Sequence, residues 1–404
     1  MGRELQSGYT TGTCASAAAM AAAVFVLEGS TGDVCVRLAN KATAAFTPEY
    51  GVCLAGGGKG GSWCRVKKDA GDDPDVTDGV WVYAGVFPVS QEGFEKLCRE
   101  GAGYVSAEYP RLYLNGGPGI GIVQKEGLSC PVGHYAINPV PQKMILQAVS
   151  EVCKRKGCEG YMEIRVAIPD GALLAEKTFN PRMGIRGGIS VLGTTGVVEP
   201  MSERALMETI RLDIRMKRMA GEEVLLLTPG NYGEVFLEER LGVPLGEAVK
   251  CSNFIRDSVV SAEKEGFKRL LLVGHIGKLA KVARGAGNTH SRYGDGRMEM
   301  MGQLFKEAGQ CLCGADKTEV CCNYTELAEK IGNANTTEEA VGWLKECGLA
   351  ERVLSLAAGK VKGQVECWAG GRLEAEVAVF SSVHRVMGES GRLRDFLQMR
   401  KGEA

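Results

Sequence analysis

Three short apolar runs from Ile189 onward each deliver a glycine loop rich in polar side chains. Leu192-Gly193-Thr194-Thr195-Gly196 sets two hydroxyls between two glycines, and Pro229-Gly230-Asn231-Tyr232-Gly233 carries an amide. Gly274-His275-Ile276-Gly277-Lys278 carries an imidazole and an ammonium. Glycines let the main chain turn sharply and let a ligand approach it, while hydroxyls and neighbouring amides hold an anionic or polar group. A fourth such loop, Ser7 to Cys14, runs straight into the alanine-rich stretch Ala15 to Ala23. Two readings of that loop stand: Thr10, Thr11, Gly12 and Thr13 form an anion site at a helix start, or the threonines only cap the helix.

Other candidate chemistry is scattered. His275 and His290 are the histidines in motif-like surroundings, and the segment Gly285 to Glu299 crowds Asn288, Thr289, His290, Ser291, Arg292, Asp295 and Arg297 into one connection. Between Asp69 and Asp78 lie five aspartates. They repel one another unless a cation, a basic side chain or backbone donors offset them, so turn scaffolding and a hard-cation site are both open. Gly56-Gly57-Gly58-Lys59-Gly60-Gly61 lacks the Ser or Thr after lysine that a phosphate loop needs, and reads as a hairpin tip. The fifteen cysteines are odd in number. Their densest group, Cys311, Cys313, Cys321 and Cys322, lacks zinc spacing, so they read as thiols and no metal site is assigned.

The elements that must position these loops follow from periodicity. Strand, glycine loop and helix recur three times from Ile189 onward, which predicts parallel strands with a ligand crevice at their carboxyl edge. The fold class expected is an α+β amino-terminal domain followed by an α/β doubly wound, Rossmann-like domain. The turn-rich stretch Asn180 to Gly188 places the boundary, giving domains 1–183 and 184–404. Asp33 to Val123 is β-rich, Ala136 to Val152 reads as a helix, Tyr161 to Ile168 as a strand, and Met300 to Ala357 as helical. A net charge of −1 gives no global field for nucleic acid or a membrane surface, so an anionic ligand needs local positive groups. The start of the chain has no secretory pattern, and the apolar run Ala15 to Leu27 is short for a bilayer span, so a cytoplasmic protein is expected.

Taken together, Gly8 to Cys14, the Lys68 to Gly79 aspartate run, Ala136-Ile137-Asn138-Pro139-Val140-Pro141, Leu192 to Ser202, Pro229 to Glu234, and Gly274 to Lys278 with Thr289-His290-Ser291-Arg292 resemble the CbiD family. These are cobalt-precorrin-5B C-methyltransferases of the oxygen-independent cobalamin pathway. The resemblance runs from about Ser7 to Glu299 and more loosely beyond. It implies methyl transfer from S-adenosylmethionine to carbon 1 of a corrinoid, giving cobalt-precorrin-6A. Cobalt would enter only as part of that substrate, and the partners implied are the corrinoid and, transiently, neighbouring pathway enzymes. Three departures stand out: the insertion holding Gly56 to Gly61, Gln142-Lys143 where arginines are usual, and Arg256 where glycine is favoured.

On that reading, Gly193, Thr194, Thr195, Gly196, Gly230, Asn231 and Gly233 contact the methyl donor, with Glu199 accepting from its ribose. The carboxylate-rich ring calls for Arg182, Arg186, Lys278, Arg292 and Arg297, together with the Thr10 to Thr13 loop. His290 and His275 are the candidates for taking a proton or capping cobalt; the alternative for each is a brace that holds its loop. A corrinoid carrier without catalysis and a nucleotide-dependent enzyme are the competing functions.

Overall fold

The computed structural model describes residues 5–30, 32–51, 60–310 and 320–400. Contacts divide the chain into two compact units, Met1–Ser202 and Glu203–Ala404. Gly56 to Lys59, Cys311 and Cys313 lie outside the described residues, as do the side chains of Cys321 and Cys322.

The first unit runs β1 (Gly8–Tyr9), α1 (Thr11–Glu28), β2 (Val34–Arg37), β3 (Thr43–Phe46), β4 (Glu49–Tyr50), β5 (Ser62–Lys67), β6 (Trp81–Val89), α2 (Gln91–Glu100), β7 (Tyr104–Ser106), β8 (Tyr109–Gly116), β9 (Ile122–Val123), α3 (Pro139–Arg155), β10 (Tyr161–Ala167), α4 (Gly171–Ala175), β11 (Ile185–Arg186) and β12 (Val197–Val198). Its main sheet has the order β4-β5-β6-β10-β8-β7 and is antiparallel except where β10 meets β8. Helix α1 explains the alanine run: Ala15, Ala17, Ala18, Ala19, Ala21, Ala22 and Ala23 are all fully buried. A helix that is apolar all round belongs inside, and small side chains let it lie close to α3 and to the sheet. Its core partners include Ile145 and Val149 of α3, Val66 of β5 and Val82 and Val86 of β6.

The aspartate run is a chain of turns. Asp69 accepts from the amide of Gly71, Asp72 from Gln6, Asp73 from Met201, Asp75 from Thr77 and Asp78 from Ala70. Asp75 also receives the buried ammonium of Lys68 at 2.7 Å. Each carboxylate thus has backbone donors or a cation, the offset that five clustered charges require.

The unit boundary falls after Ser202 and not at residue 183. Residues 184–202 are stitched into the first unit, because β11 pairs with β9, Ile189 bridges Ile120, Val191 bridges Ile137, and β12 pairs with β1. The run Ile189 to Val191 makes single bridges and does not join the parallel sheet. The first of the three expected strand-loop-helix units is therefore absent from that sheet, and its glycine loop belongs to the first unit.

The second unit runs α5 (Glu203–Met219), β13 (Val224–Thr228), α6 (Asn231–Leu241), β14 (Val249–Lys250), α7 (Ile255–Lys264), β15 (Arg269–His275), α8 (Ile276–Ala283), α9 (Arg297–Gln310), α10 (Val320–Gly332), α11 (Thr337–Glu346), α12 (Ala350–Trp368), β16 (Glu374–Phe380), β17 (Met387–Glu389) and α13 (Leu393–Arg400). The sheet order is β14-β13-β15-β16-β17, parallel except for β17. Alternate residues serve opposite faces: Leu225, Leu227, Leu270 and Leu272 pack with Ile210, Val259 and Leu304, while Leu226, Leu271 and Val273 pack with Leu237 and Phe396. Burial on both sides is why these strands read as unbroken apolar runs. Numbered within the unit the order is 2-1-3-4-5, the flavodoxin-like arrangement and not the 3-2-1-4-5-6 of the Rossmann fold.

Candidate functional site

In a sheet of this order the chain reverses direction between β13 and β15, and ligands of such folds bind beyond the carboxyl ends of those strands. Two of the glycine loops lie there. Pro229-Gly230 joins β13 to α6, and His275 is the N-cap of α8. Lys278 Nζ donates to the carbonyls of Pro229 at 3.0 Å and Ser252 at 3.3 Å, so one side chain fastens the ends of neighbouring strands. Burial pushes the Lys278 ammonium below its ordinary range. Lys250 Nζ reaches Asn231 Oδ1 at 3.2 Å and the Glu234 carboxylate at 2.6 Å, which fixes the first turn of α6.

The glycines in these loops differ in purpose. A Cβ on Gly233 would stand 1.7 Å from Thr228 Oγ1, so packing alone excludes a side chain there. Gly230 is extended at φ 166 and a Cβ on it would meet nothing within 4 Å. The space beside its Cα is open, while its carbonyl accepts from the Gly233 amide at 3.0 Å. Beside it Tyr232 is 75% exposed, with its ring centroid 6.5 Å from that of His275.

Both motif histidines serve as caps. His275 Nδ1 accepts from the Gly277 amide at 3.0 Å, while Nε2 lies 2.5 Å from Glu338 Oε1. Glu338 in turn accepts from Ser381 Oγ and from the Ser382 amide. Burial alone would raise the Glu338 carboxyl, but the Ser381 and His275 hydrogen bonds hold it below its usual range. His290 Nδ1 accepts from the Arg292 amide at 3.2 Å. An imidazole accepting at Nδ1 carries its proton on Nε2, so each ring is poised to donate, and taking a proton at Nδ1 would cost the cap. The polar loop around His290 spends much of its capacity on neighbouring elements: Thr289 Oγ1 bonds Asn253, and the buried Lys281 of α8 donates to the carbonyls of Thr289 and Gly294. Glu338 and Ser381 escaped the sequence reading because Glu338 reaches His275 from α11 and Ser381 reaches Glu338 from the end of β16, with no local motif to announce them.

In the first unit, Gly193 to Gly196 lock onto the amino-terminal loop. The Gly12 amide donates to Leu192 O at 2.9 Å, the Thr10 amide to Gly196 O at 3.2 Å, and Thr13 Oγ1 to Gly196 O at 2.7 Å. Thr10 is the N-cap of α1 and accepts from Thr13 N. The amides of Gly12, Thr13 and Cys14 thus already have protein partners, which favours the capping reading of the Thr10 to Thr13 loop. A Cβ on Gly193, at φ 142, would fall 2.2 Å from Thr10 Oγ1. Thr11 is buried, Thr195 Oγ1 is spent on Val197 O, and Thr194 and Glu199 are exposed.

The basic candidates are dispersed. Arg182 and Arg186 are exposed in the first unit. Arg292 pairs with Glu203 at 2.5 Å, and Arg297 grips Asp295 through two bonds of 2.6 and 2.7 Å. Those two guanidiniums are committed within the second unit.

Comparison with known proteins adds independent findings. The CbiD family profile matches residues 1–200, and a profile described as CbiD, C-terminal domain, matches residues 319–391. A cobalt-precorrin-5B C(1)-methyltransferase from Ruminiclostridium cellulolyticum is 40% identical over 391 residues, 95% of this chain and 91% of that protein. Enzymes of the same name from Moorella thermoacetica and Alkaliphilus metalliredigens are 42% identical over 76% of this chain and 34% over 98%, covering 78% and 96% of their own lengths. A crystal structure of the cobalamin biosynthesis protein cbiD from Archaeoglobus fulgidus is 26% identical, covering 71% of this chain and 83% of that one, with a TM-score of 0.37.

Proposed function

The chain belongs to the CbiD family, and from that premise we propose that it is a cobalt-precorrin-5B C(1)-methyltransferase of cobalamin biosynthesis, using S-adenosylmethionine and yielding cobalt-precorrin-6A. The observation that carries this reading is identity of 40% over 95% of the chain to an enzyme of that name. Cobalt is part of the substrate, and the reaction proceeds in the cytoplasm. Burial of α1 in the core of the first unit accounts for the apolar run without a membrane.

S-adenosylmethionine, when bound, supplies an electrophilic methyl group on a sulfonium. The strand-end loops of the second unit suit its holder: Gly230 leaves open space beside its Cα, Asn231 and Gly233 shape the turn, and the exposed ring of Tyr232 offers a face to an adenine. Lys278 keeps those loops in register. Thr194 and Glu199 are exposed and available to a ligand, whereas Gly193, Thr195 and Gly196 act by holding their turn. Methyl transfer needs no protein nucleophile, and alignment alone lowers a barrier by about 7–11 kcal/mol. His290, whose Nε2–H is left over after capping, donates a hydrogen bond to the substrate, while His275 braces its loop.

Anaerobic incubation with cobalt-precorrin-5B and S-adenosylmethionine tests the reading. One S-adenosylhomocysteine should appear per ring methylated. Binding of ring and donor without turnover would leave a carrier, and dependence on ATP would favour a nucleotide-dependent enzyme.

A further inference from the structure

We propose that the first unit holds a polycarboxylate site of its own, an open trough along α3 that takes the carboxylate-bearing rim of the ring substrate. The inference rests on the proposed function only for the identity of the ring. The trough has a volume of about 790 Å³, within the range of small-molecule sites. Arg37 and Lys41 enter it from the β2–β3 hairpin, Lys143 and Lys154 from α3, and Thr194 from the glycine turn.

Charge decides what the trough accepts. Four cations face two carboxylates, Glu108 and Glu151. Glu108 lies 3.8 Å from Lys143, and Glu151 accepts from Gln147 Nε2 at 2.9 Å. Arg37, Lys41 and Lys154 have no carboxylate partner among the described residues. Cations that outnumber carboxylates two to one at a concavity leave a net positive field that an anion relieves. The first residues of α3, Pro139 and Val140, also line the wall, so the positive end of a 17-residue helix adds to the same field. Lys41 sits at φ 71, in the left-handed region, at the turn of the β2–β3 hairpin. A sulfonium would be repelled from this field, so the trough suits the ring and Thr194 belongs with it and not with the methyl donor.

The test uses the full-length protein in calorimetric titrations with three probes: cobyrinic acid, which bears free carboxylates; dicyanocobinamide, its amidated counterpart; and S-adenosylhomocysteine. Wild type should bind cobyrinic acid more tightly than dicyanocobinamide. The double variant Lys41→Ala/Lys154→Ala should lose about tenfold in cobyrinic acid affinity, roughly two ion contacts. It should keep its affinity for S-adenosylhomocysteine, and Lys41→Arg/Lys154→Arg should restore the loss. Undiminished cobyrinic acid binding in the alanine variant overturns the proposal, and so does a wild type that binds neither corrinoid or both equally. A selective loss of S-adenosylhomocysteine binding overturns it as well, making the trough a donor site. KM for cobalt-precorrin-5B separates the two levels of claim: turnover with an unaltered KM in the alanine variant rejects the trough alone, whereas absence of turnover in wild type rejects the methyltransferase.

Discussion

The ammonium of Lys278 donates to the main-chain carbonyl of Pro229 at 3.0 Å, tying the start of α8 to the loop that leaves β13. Lys278→Met keeps the aliphatic stem and removes the donors from two carbonyls. Loss of hydrogen bonds from a charged donor is partly offset by relief of its desolvation, so unfolding in urea should show a net loss of about 1–2 kcal/mol. Affinity for S-adenosylhomocysteine should fall with it. A lower stability with unaltered affinity would mean that the tie serves the fold alone.

Gly230 and Gly233 provide a matched pair. Gly230→Ala places a methyl in open space on extended backbone and should leave stability within about 0.5 kcal/mol, while lowering affinity for S-adenosylhomocysteine if the main chain there meets the donor. Gly233→Ala drives a methyl into Thr228 and should cost about 1–3 kcal/mol. Thermal unfolding and calorimetry on both variants check the contrast; a donor site elsewhere would leave Gly230→Ala fully competent.

The Glu338 carboxyl titrates below its ordinary 4.5 in the folded chain. The folded state therefore holds fewer protons than the unfolded chain in that window, and stability from this group is complete above pH 4.5 and disappears as pH falls through the folded value. Glu338→Gln should flatten the acid limb of a stability profile below pH 4.5. An unchanged limb would assign acid sensitivity to other carboxylates.

Asparagine can replace an N-cap histidine as acceptor. His275→Asn and His290→Asn should keep their caps, and kcat should fall far less than the roughly 10²–10⁴-fold expected on removing a general acid or base. A fall of that size in either variant would show that its ring moves a proton.

Lys68 is 2% exposed and pairs with Asp75, which is itself held below the usual carboxylate range because the Lys68 and Thr77 hydrogen bonds outweigh its burial. Asp75→Asn strands a buried ammonium and should destabilise by about 3 kcal/mol. Lys68→Met in the same background should recover much of that loss, which a double-mutant cycle in urea would measure.

Much of the second unit was legible in the sequence because strands buried on both faces read as apolar runs, and the loops at Gly230 and His275 follow them directly. Strand order was not, since 2-1-3-4-5 and Rossmann orders share the same local alternation. Leu192 to Gly196 misled for a similar reason: Ile189 to Val191 looks like a strand, yet its partners Ile120 and Ile137 lie far away in the chain. For the aspartate run, residue type left turns and a cation site both open, and the turns became visible only through the backbone donors that each carboxylate meets. The cation trough was invisible, since Arg37, Lys41 and Lys154 meet only through the packing of a hairpin against α3.

The pairing of Gly8 with Val198 sets how late in synthesis the first unit can close. The first strand of the first unit must wait for nearly two hundred residues to leave the ribosome before it finds its partner, and the following unit begins at Glu203 immediately afterwards. Closing so long a loop costs chain entropy and favours slow folding, so the first unit is completed only as the second begins to emerge.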